Sequence, residues 1–495
     1  MATVSSSSSS EQQASALTLL LLLPVLYISY HLIKLALTTT KKTKKPTTHG
    51  LKSHPLLGHL PAFLKNRHRF LDWSTELIVA SQDHRMGFWI PGMRTGIVTG
   101  NPADVEHVLR ANFANYPKGE HATAMLRDFL GRGLFNSDGE QWLWQRKNAS
   151  HEFSSRSLRR FVVDVVSDEV AGRLLPLLRR AADGDGRVIL DLQDVLERFA
   201  FDTICMVAFG HDPGCLCLAD ADVGGAGVCW ADDSKSEFMR AFGEAQDLIV
   251  GRFLDPVEVS WKVKKWLNVG TERRLKKAIA DVHEFAMSIV RARRASASAD
   301  HHRDDVLSRF VASAEHSDET LRDIVLSFLI AGRETTSSAL TWFFWLLSSR
   351  PAVTARILAE VRAARASTGT RPGQPLGFDA LRGLHYLHAA LTESMRLYPP
   401  APLDSQSCAA DDALPDGTHV GKGWSITYSA YMKSVVASVL EEFVVDVRKE
   451  VAGGGVPEHV LSVTLRMKGG LPVQKIANSV EDARFLEDKI GKMKT

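Results

Sequence analysis

The sequence predicts a mostly helical domain with a smaller β region, preceded by one transmembrane helix. Three observations lead to this fold class. Residues 16–37 form a long apolar run, helical patterns dominate residues 101–398, and strand-like segments follow the Pro399-Pro400 pair. Many consecutive helices followed by short strands do not match the alternating strand–helix order of a parallel α/β sheet.

The apolar run near the N-terminus has the length of a membrane span. It contains 22 residues rich in Leu, Ile, Val and Tyr, with Lys34 as its only charge. At about 1.5 Å per residue, such a helix crosses a hydrocarbon core of about 30 Å. Four lysines lie within residues 41–45, and positive charge on this flank predicts a cytoplasmic location for the domain after the helix. The alternative is a cleaved or organelle-targeting peptide, although residues 1–15 lack the Lys or Arg of a signal peptide.

Composition excludes several classes of protein. The chain is 45% hydrophobic and 24% charged, as is usual for a globular protein. Its net charge of +3 gives no argument for nucleic acid binding. Five cysteines are too few for a disulfide scaffold, and no histidine pair lies near Cys215 and Cys217 at zinc-ligand spacing. The thiols are therefore predicted to be reduced, in a domain that faces the cytosol.

Local patterns divide the chain further. We expect residues 1–15 to be disordered and residues 38–50 to be a basic linker. Strands are predicted at residues 86–90 and 95–98 with a turn at Pro91-Gly92, and then a helix at residues 103–111 capped by Asn101. Helices then dominate, with breaks at residues 183–186, 210–233, 295–304 and 367–377. The Pro415-Asp416-Gly417 turn predicts a hairpin.

The first chemical motif lies within a predicted helix at residues 319–349. There the run from Ala331 through Gly332, Glu334 and Thr335 places an acid and a hydroxyl among apolar residues. A mid-helix Thr can bond to the preceding turn and open the helix locally, and a Gly allows another body to approach closely. The same pattern is also typical of a tightly packed core helix.

The second motif is Glu393 and Arg396, just before Tyr398-Pro399-Pro400. Three residues apart, the two side chains share one helix face and can pair. Such pairs are common on protein surfaces, so an ordinary exposed ion pair is the alternative.

The third motif, within residues 139–147, places Trp142 and Arg146 on one face of a predicted helix. The indole N–H and the guanidinium are both donors and suit a carboxylate. An amphipathic helix with its Trp towards the core is the alternative.

In this order, the three motifs resemble the cytochrome P-450 superfamily. The resemblance covers residues 51–431 and resumes over residues 432–473. Within the superfamily, residues 331–336, 414–418 and 468–473 resemble the plant fatty-acid ω-hydroxylase branch, which also holds jasmonate-conjugate hydroxylases.

The resemblance implies a cytochrome P-450 fold with haem b, a cysteine thiolate on the iron, and dioxygen as oxidant. It also implies the endoplasmic reticulum membrane as location, an NADPH-cytochrome reductase as partner, and a fatty-acid-like substrate. Thr335 would steady dioxygen and Glu334 would help deliver protons, beside an oxygen pocket at Ala331 and Gly332. Trp142 and Arg146 would hold the haem propionates. Glu393 and Arg396 would support the fold.

One required element of the family is missing from the sequence. The axial cysteine should lie in a Phe- and Gly-rich loop well after Arg396, but Cys408 is the only cysteine there. It has two nearby acids and no glycine turn, a setting that raises a thiol pKa. We therefore assign no metal ligand.

The junction between Tyr431 and Met432 is the place where we expect the missing stretch. A strand at residues 424–431 runs directly into an amphipathic helix at residues 432–443, with only Ser429 as a cap. The prediction is one domain over residues 51–474 that lacks the proximal side of the haem site. A charged tail comes after it at residues 475–495.

The leading hypothesis is a haem-thiolate monooxygenase of fatty acids or related carboxylate conjugates, inactive in this form because the axial cysteine is lost. The first alternative is a haem-free, membrane-tethered binding protein. The second is a non-folding product of a mis-spliced or decayed gene.

Overall fold

The structure is a computed structural model that describes most of the chain between residues 46 and 478. The described residues are 46, 51–90, 94–154, 156–183, 190–216, 233–255, 257, 259–296, 305–312, 316–426, 443–447, 457–462 and 464–478. The predicted anchor at residues 16–37, the Pro91-Gly92 turn and the junction at residues 431 and 432 lie outside them. Across these ranges, no helix combines the length and apolarity that crossing a membrane requires.

Helices account for most of the described residues. They are α1 (Leu60–Asn66), α2 (Phe70–Ala80), α3 (Pro102–Glu106), α4 (Gly119–Leu130), α5 (Gly139–Ser154), α6 (Arg156–Glu169), α7 (Leu175–Asp183), α8 (Leu192–Phe209), α9 (Asp233–Leu254), α10 (Val259–Leu267), α11 (Gly270–Ser296), α12 (Val306–Ala312), α13 (Asp318–Leu329), α14 (Thr335–Ser348), α15 (Pro351–Thr368), α16 (Phe378–Arg382) and α17 (His385–Leu397). Wider π turns occur at His107–Ala111, Val170–Leu174 and Ile330–Glu334.

The strands are short and lie mostly at the two ends of the described chain. They are β1 (Arg85–Ile90), β2 (Arg94–Thr99), β3 (Leu190–Asp191), β4 (Gln406–Ser407), β5 (Asp412–Ala413), β6 (His419–Val420), β7 (Ser425–Ile426), β8 (Phe443–Val447), β9 (His459–Leu461), β10 (Leu465–Met467) and β11 (Pro472–Asn478). The mostly helical fold class with a smaller β region is therefore confirmed.

The chain divides into two compact units, where the sequence predicted one domain. The first unit comprises Met1–Gly119, Leu254–Ser260 and Ser405–Thr427. It holds the four-stranded sheet β1-β2-β7-β4 and the β5-β6 hairpin, in which Ala413 pairs with His419. That hairpin turns at Gly417, whose φ of +86° suits a glycine, so the predicted hairpin is confirmed.

The second unit comprises Glu120–Phe253, Trp261–Asp404 and Tyr428–Thr495, and it holds the long helices. Most of α8 is buried in it. The β9-β10 hairpin and the sheet β3-β11-β8 also belong to it. The Asp191 carboxylate caps α8 by accepting from the Gln193 amide at 3.0 Å, and it also accepts from the Leu471 amide at 2.9 Å. One side chain thus fixes both the start of α8 and the start of β11.

Several boundaries predicted from the sequence are confirmed. The strands at residues 86–90 and 95–98 appear as β1 and β2, and the Asn101 side chain accepts from the Ala103 amide at 3.0 Å as the predicted cap. The break at residues 210–233 comes after α8, whose C-terminal cap is Gly210 in the left-handed conformation, with φ +56°. The last helix before Pro399-Pro400 ends at Leu397.

Three predictions near other boundaries need correction. The helix at residues 103–111 is only partly α-helical, because its second half is the π turn His107–Ala111. The helix predicted to end at Phe443 does not reach it, since Phe443 begins β8, which contains three β-branched valines and pairs with β11. Residue 474 is not a boundary either, since β11 continues to Asn478.

Candidate functional site

The predicted helix at residues 319–349 is present, and it opens at the motif. α13 ends at Leu329, the π turn Ile330–Glu334 comes next, and α14 begins at Thr335. The Thr335 hydroxyl donates to the Ala331 carbonyl at 2.6 Å, the back-bonding expected of a mid-helix Thr. A single π turn inserted in a helix is a frequent feature of functional sites. The structure thus has the local opening that the sequence predicts.

Ala331 and Thr335 lie on the accessible face of this turn. Ala331 is exposed and Thr335 is partly exposed, although α13 and α14 on either side are mostly buried. The Thr335 oxygen already donates its proton to Ala331, so it has lone pairs with which to accept from a ligand or a water. The structure therefore brings together two of the four predicted residues of this motif.

Gly332 has a different environment from the predicted oxygen pocket. A Cβ built on Gly332 would lie 2.6 Å from both Cβ and Cδ1 of Ile204 on α8. Carbon atoms normally approach to about 3.5–4.0 Å, so no larger residue fits without movement. In this structure the small residue allows two helices to pack closely, which was the alternative interpretation of the motif.

Glu334 belongs to a buried network of charges. It is 1% exposed, and its Oε1 lies 2.9 Å from Nη1 of the neighbouring Arg333. Arg333 Nη2 donates to Glu197 Oε2 at 3.1 Å, and Arg466 Nη2 donates to Glu197 Oε1 at 2.7 Å. Thr464 Oγ1 donates to Glu334 Oε2 at 3.4 Å. Glu334 is therefore held among buried partners rather than on the accessible face.

Burial sets the electrostatics of this network. It raises the pKa of Glu197, an effect that the positive charges of Arg333 and Arg466 oppose. Burial alone would lower the pKa of Arg466, but the carboxylates of Glu197 and Glu334 raise it. Two cations and two anions thus face one another, with Arg466 partly exposed and the other three buried, the arrangement in which a buried charge is tolerated.

Trp142 and Arg146 are both on α5, as the sequence predicts. Trp142 is partly buried and Arg146 is exposed, while Gln145 between them is buried and donates to the Arg132 carbonyl at 2.8 Å. The spacing places Trp142 and Arg146 one turn apart on the same side of the helix. An exposed guanidinium in this place can bind an anion.

The predicted pair of Glu393 and Arg396 forms on α17. Arg396 Nε donates to Glu393 Oε2 at 2.8 Å, and Nη2 donates to Oε1 at 2.7 Å. The geometry is bidentate, but the side chains are 56% and 66% exposed. The hydrogen bonds with Arg396 lower the pKa of Glu393. The pair lies at the surface of the described chain.

Cys408 is a core residue of the other unit. It is 1% exposed, packs with Tyr116, Leu414 and Trp424, and donates its thiol proton to the Ala410 carbonyl at 2.9 Å. Burial, together with the charge of Asp412, raises the pKa of the thiol. Cys408 is thus a buried, structural thiol.

The described residues do not fit the thiolate side of a haem. The three described cysteines, Cys205, Cys215 and Cys408, are all buried, and burial raises the pKa of Cys205 as well. No cluster of His, Cys, Asp and Glu suited to a metal ion occurs in the described ranges. The other two cysteines, Cys217 and Cys229, lie outside those ranges and well before Arg396.

Sequence reasoning missed the roles of Glu197 and Arg466. Glu197 is 5% exposed in the mostly buried helix α8, but its sequence neighbours include Asp194 and Arg198, so no local pattern marks it as buried. Its partner Arg466 is 269 residues away along the chain, so sequence spacing could not identify it.

The family can be established by comparison with known proteins. A family profile described as Cytochrome P-450 matches residues 48–434 and thus ends three residues after Tyr431. Cytochrome P-450 CYP94D108 of Paris polyphylla is 47% identical over 79% of this chain and 75% of its own length. Cytochrome P-450 94B1 of Arabidopsis thaliana is 44% identical over 82% of this chain and 75% of its own length.

A third relative aligns over almost its whole length. Cytochrome P-450 CYP94D109 of Paris polyphylla is 39% identical over 91% of this chain and 97% of its own length. That alignment has 513 positions but takes in only about 450 of the 495 residues here, so about 63 positions (513 − 450) have no counterpart in this chain. From the family match and these identities, the chain belongs to the cytochrome P-450 family.

Proposed function

We propose that this chain derives from a haem-thiolate monooxygenase that hydroxylates fatty acids or related carboxylate conjugates, and that it is inactive in this form. The observation that carries the ancestry is the Thr335 turn, with its back-bonded hydroxyl on an accessible face, inside the family match of residues 48–434. The inactivity follows from the sequence, which has no cysteine after Cys408. Cleaving the O–O bond depends on the electron density that an axial thiolate supplies.

Three observations support a missing stretch, which we assign to the junction of Tyr431 and Met432. The family match ends three residues after Tyr431, and about 63 alignment positions of one relative have no counterpart here. The Glu393–Arg396 pair is also more than half exposed. In the family, an arginine from the missing stretch would join that pair.

In a complete form of this protein, Thr335 and Glu334 would act on the distal side. Thr335 offers a hydroxyl on the accessible face, where dioxygen would be held. Glu334 would supply protons only if it left the network of Arg333 and Thr464. Trp142 and Arg146 would bind the propionates. Electrons would come from an NADPH-cytochrome reductase at the endoplasmic reticulum membrane, to which residues 16–37 would anchor the chain.

The first experiment examines the chain as it stands. We expect the reduced protein with carbon monoxide to lack the absorption band of thiolate-bound haem, because Cys408 is buried with a raised pKa. A Cys408→Ala variant is the matched control and should give the same spectrum. A thiolate-type band that disappears in the variant would contradict the proposal.

The second experiment restores the missing stretch. A family-derived segment ending in the cysteine loop, placed between Tyr431 and Met432, should give a haem-binding protein. With reductase and NADPH, we expect it to hydroxylate a medium or long fatty acid, or a carboxylate-bearing conjugate, near the chain end. Thr335→Ala in that protein should consume NADPH with less product, whereas Thr336→Ala serves as the matched control. If the restored chain binds no haem, residues outside the junction have also changed in ways that prevent haem binding.

A haem-free binding protein is the second candidate function. The observation that favours it is the accessible face of the π turn at Ala331 and Thr335, set in helices that otherwise form an extensive buried cluster. Displacement of a fluorescent fatty acid from the purified chain would test this function. An Ala331→Trp variant, which would fill the accessible face of the π turn, should abolish the displacement.

A further inference from the structure

The β9-β10 hairpin is held between two helices of the second unit by side chains at regular helical spacing. From α8, Gln193 Oε1 accepts from the Met467 amide at 3.0 Å, and Glu197, one turn later, accepts from Arg466 at 2.7 Å. From α14, Ser338 Oγ donates to the Leu465 carbonyl at 2.8 Å, and Trp342 Nε1 donates to it at 2.9 Å. Successive turns of both helices thus contact one short strand, β10.

Glu197 differs from the other contacts because it reaches two elements at once. Its Oε1 accepts from Arg466 on β10, and its Oε2 accepts from Arg333 in the π turn. Arg333 is 2% exposed and lies over the Phe242 ring at 5.1 Å, so it has little freedom to find another partner. A single buried carboxylate therefore connects the hairpin to the turn that precedes Thr335.

Loss of this carboxylate would leave two guanidinium groups without their shared partner. Removing one member of a buried ion pair is costly, because the remaining charge stays desolvated. Arg333 would retain only its neighbour Glu334, and Arg466 would lose its hydrogen-bonded anion. Hydration would favour movement of both guanidinium groups towards water. Arg466 would then displace the hairpin, and Arg333 would displace the π turn.

We infer that Glu197 is a positioning residue that couples the β9-β10 hairpin to the π turn Ile330–Glu334, and so sets the place of the Thr335 hydroxyl. The role in the site rests on the proposed function, but the coupling itself requires no haem. A displacement of the hairpin at Arg466 reaches the turn through the two oxygens of one carboxylate.

Peptide-level hydrogen–deuterium exchange on the full-length chain tests the coupling. We expect Glu197→Gln to raise exchange about tenfold, which corresponds to ~1.4 kcal/mol, in both the π turn and Leu465–Met467. Exchange in α15 should not change. The matched control is Glu244→Gln, which removes another ion pair between helices, with Arg274 at 2.7 Å. It should leave both segments at the wild-type rate.

A second pair of variants keeps the test decisive if Glu197→Gln does not fold. The Arg466 side chain is 27% exposed, so it can be replaced with less disturbance. Arg466→Gln should raise the exchange rate in the π turn. The conservative variant Arg466→Lys should exchange at nearly the wild-type rate there, because it keeps the positive charge.

Two results would overturn the inference. One is a π turn that exchanges at the wild-type rate in Arg466→Gln. The other is equal exchange in Arg466→Lys and Arg466→Gln, since shape alone would then matter. Neither result depends on haem. The coupling can therefore fail while the proposed function holds, and the coupling can hold while the proposed function fails.

Discussion

The close approach of Gly332 to Ile204 predicts a large effect of a single methyl group. Gly332→Ala would place a Cβ 2.6 Å from both Cβ and Cδ1 of Ile204, about 1 Å inside the usual carbon contact. Gly332 does not have a positive φ, so the new side chain itself causes no backbone strain. The clash with Ile204 is therefore the main cost.

Two opposing terms set the magnitude. Overpacking of this kind costs about 1–3 kcal/mol. Alanine gains up to about 1 kcal/mol over glycine in a helix, which offsets part of that cost. We expect a net loss of roughly 1–2 kcal/mol, because Ile204 packs against the core cluster of the second unit and can move little.

Urea unfolding followed by circular dichroism at the helix band measures the loss. At an m value of ~3 kcal/mol per molar, the midpoint should fall by about 0.5 M. Gly172→Ala is the matched control, since Gly172 also lies in a π turn, and a Cβ there meets no atom within 4 Å. In an Ile204→Ala background, Gly332→Ala should cost less than it does alone, because Cγ1 and Cδ1 of Ile204, which also lie close to the added Cβ, are gone and only the Ile204 Cβ contact remains.

The reasoning fails if Gly332→Ala is as stable as Gly172→Ala. It also fails if the losses of the two single variants at Gly332 and Ile204 simply add. Either result would mean that α8 and the π turn can separate at negligible cost.

Three further predictions concern the anchor, a partly buried acid and a surface pair. The full-length chain should pellet with microsomes and resist carbonate extraction, and truncation before Lys41 should release it; full-length protein in the soluble fraction would contradict the anchor. Burial and the charge of Asp202 raise the pKa of Glu169 from 4.5 to about 7, although Arg173 opposes them. Between these two pKa values, Glu169 holds a proton in the folded state that it lacks in the unfolded state. The free energy of unfolding therefore falls as pH rises from about 4.5 through about 7. Glu169→Gln should remove this pH dependence. The difference in melting temperature, variant minus wild type, should therefore be larger at pH 8 than at pH 5. Glu393→Gln should not measurably change the melting temperature, because its partner Arg396 is 66% exposed; a clear decrease would show that the pair supports the fold.

Helical periodicity and local capping predicted much of this fold. The helix around Thr335 follows from its apolar pattern, and its opening follows from a Thr that can bond one turn back. The cap at Asn101 and the turn at Gly417 follow from what those residue types do locally. All of these depend on residues within a few positions of one another.

Contacts between distant residues were not predictable in the same way. The sequence gives no sign that Gly332 faces Ile204, or that Glu197 bonds to Arg466 from 269 residues away. The pattern of residues 432–443 favoured a helix, but Phe443 pairs with Asn478 in a sheet. Pairing with a distant strand overrides local preference at Phe443.

The contacts of strand β10 also bear on how the gene came to encode this chain. Leu465, Arg466 and Met467 each meet a specific partner on helices encoded far upstream. A shifted reading frame would have replaced all three with unrelated residues. If a stretch is lost between Tyr431 and Met432, its coding sequence therefore spans a whole number of codons. Loss of an in-phase exon meets this condition, and a random nucleotide deletion does so only one time in three.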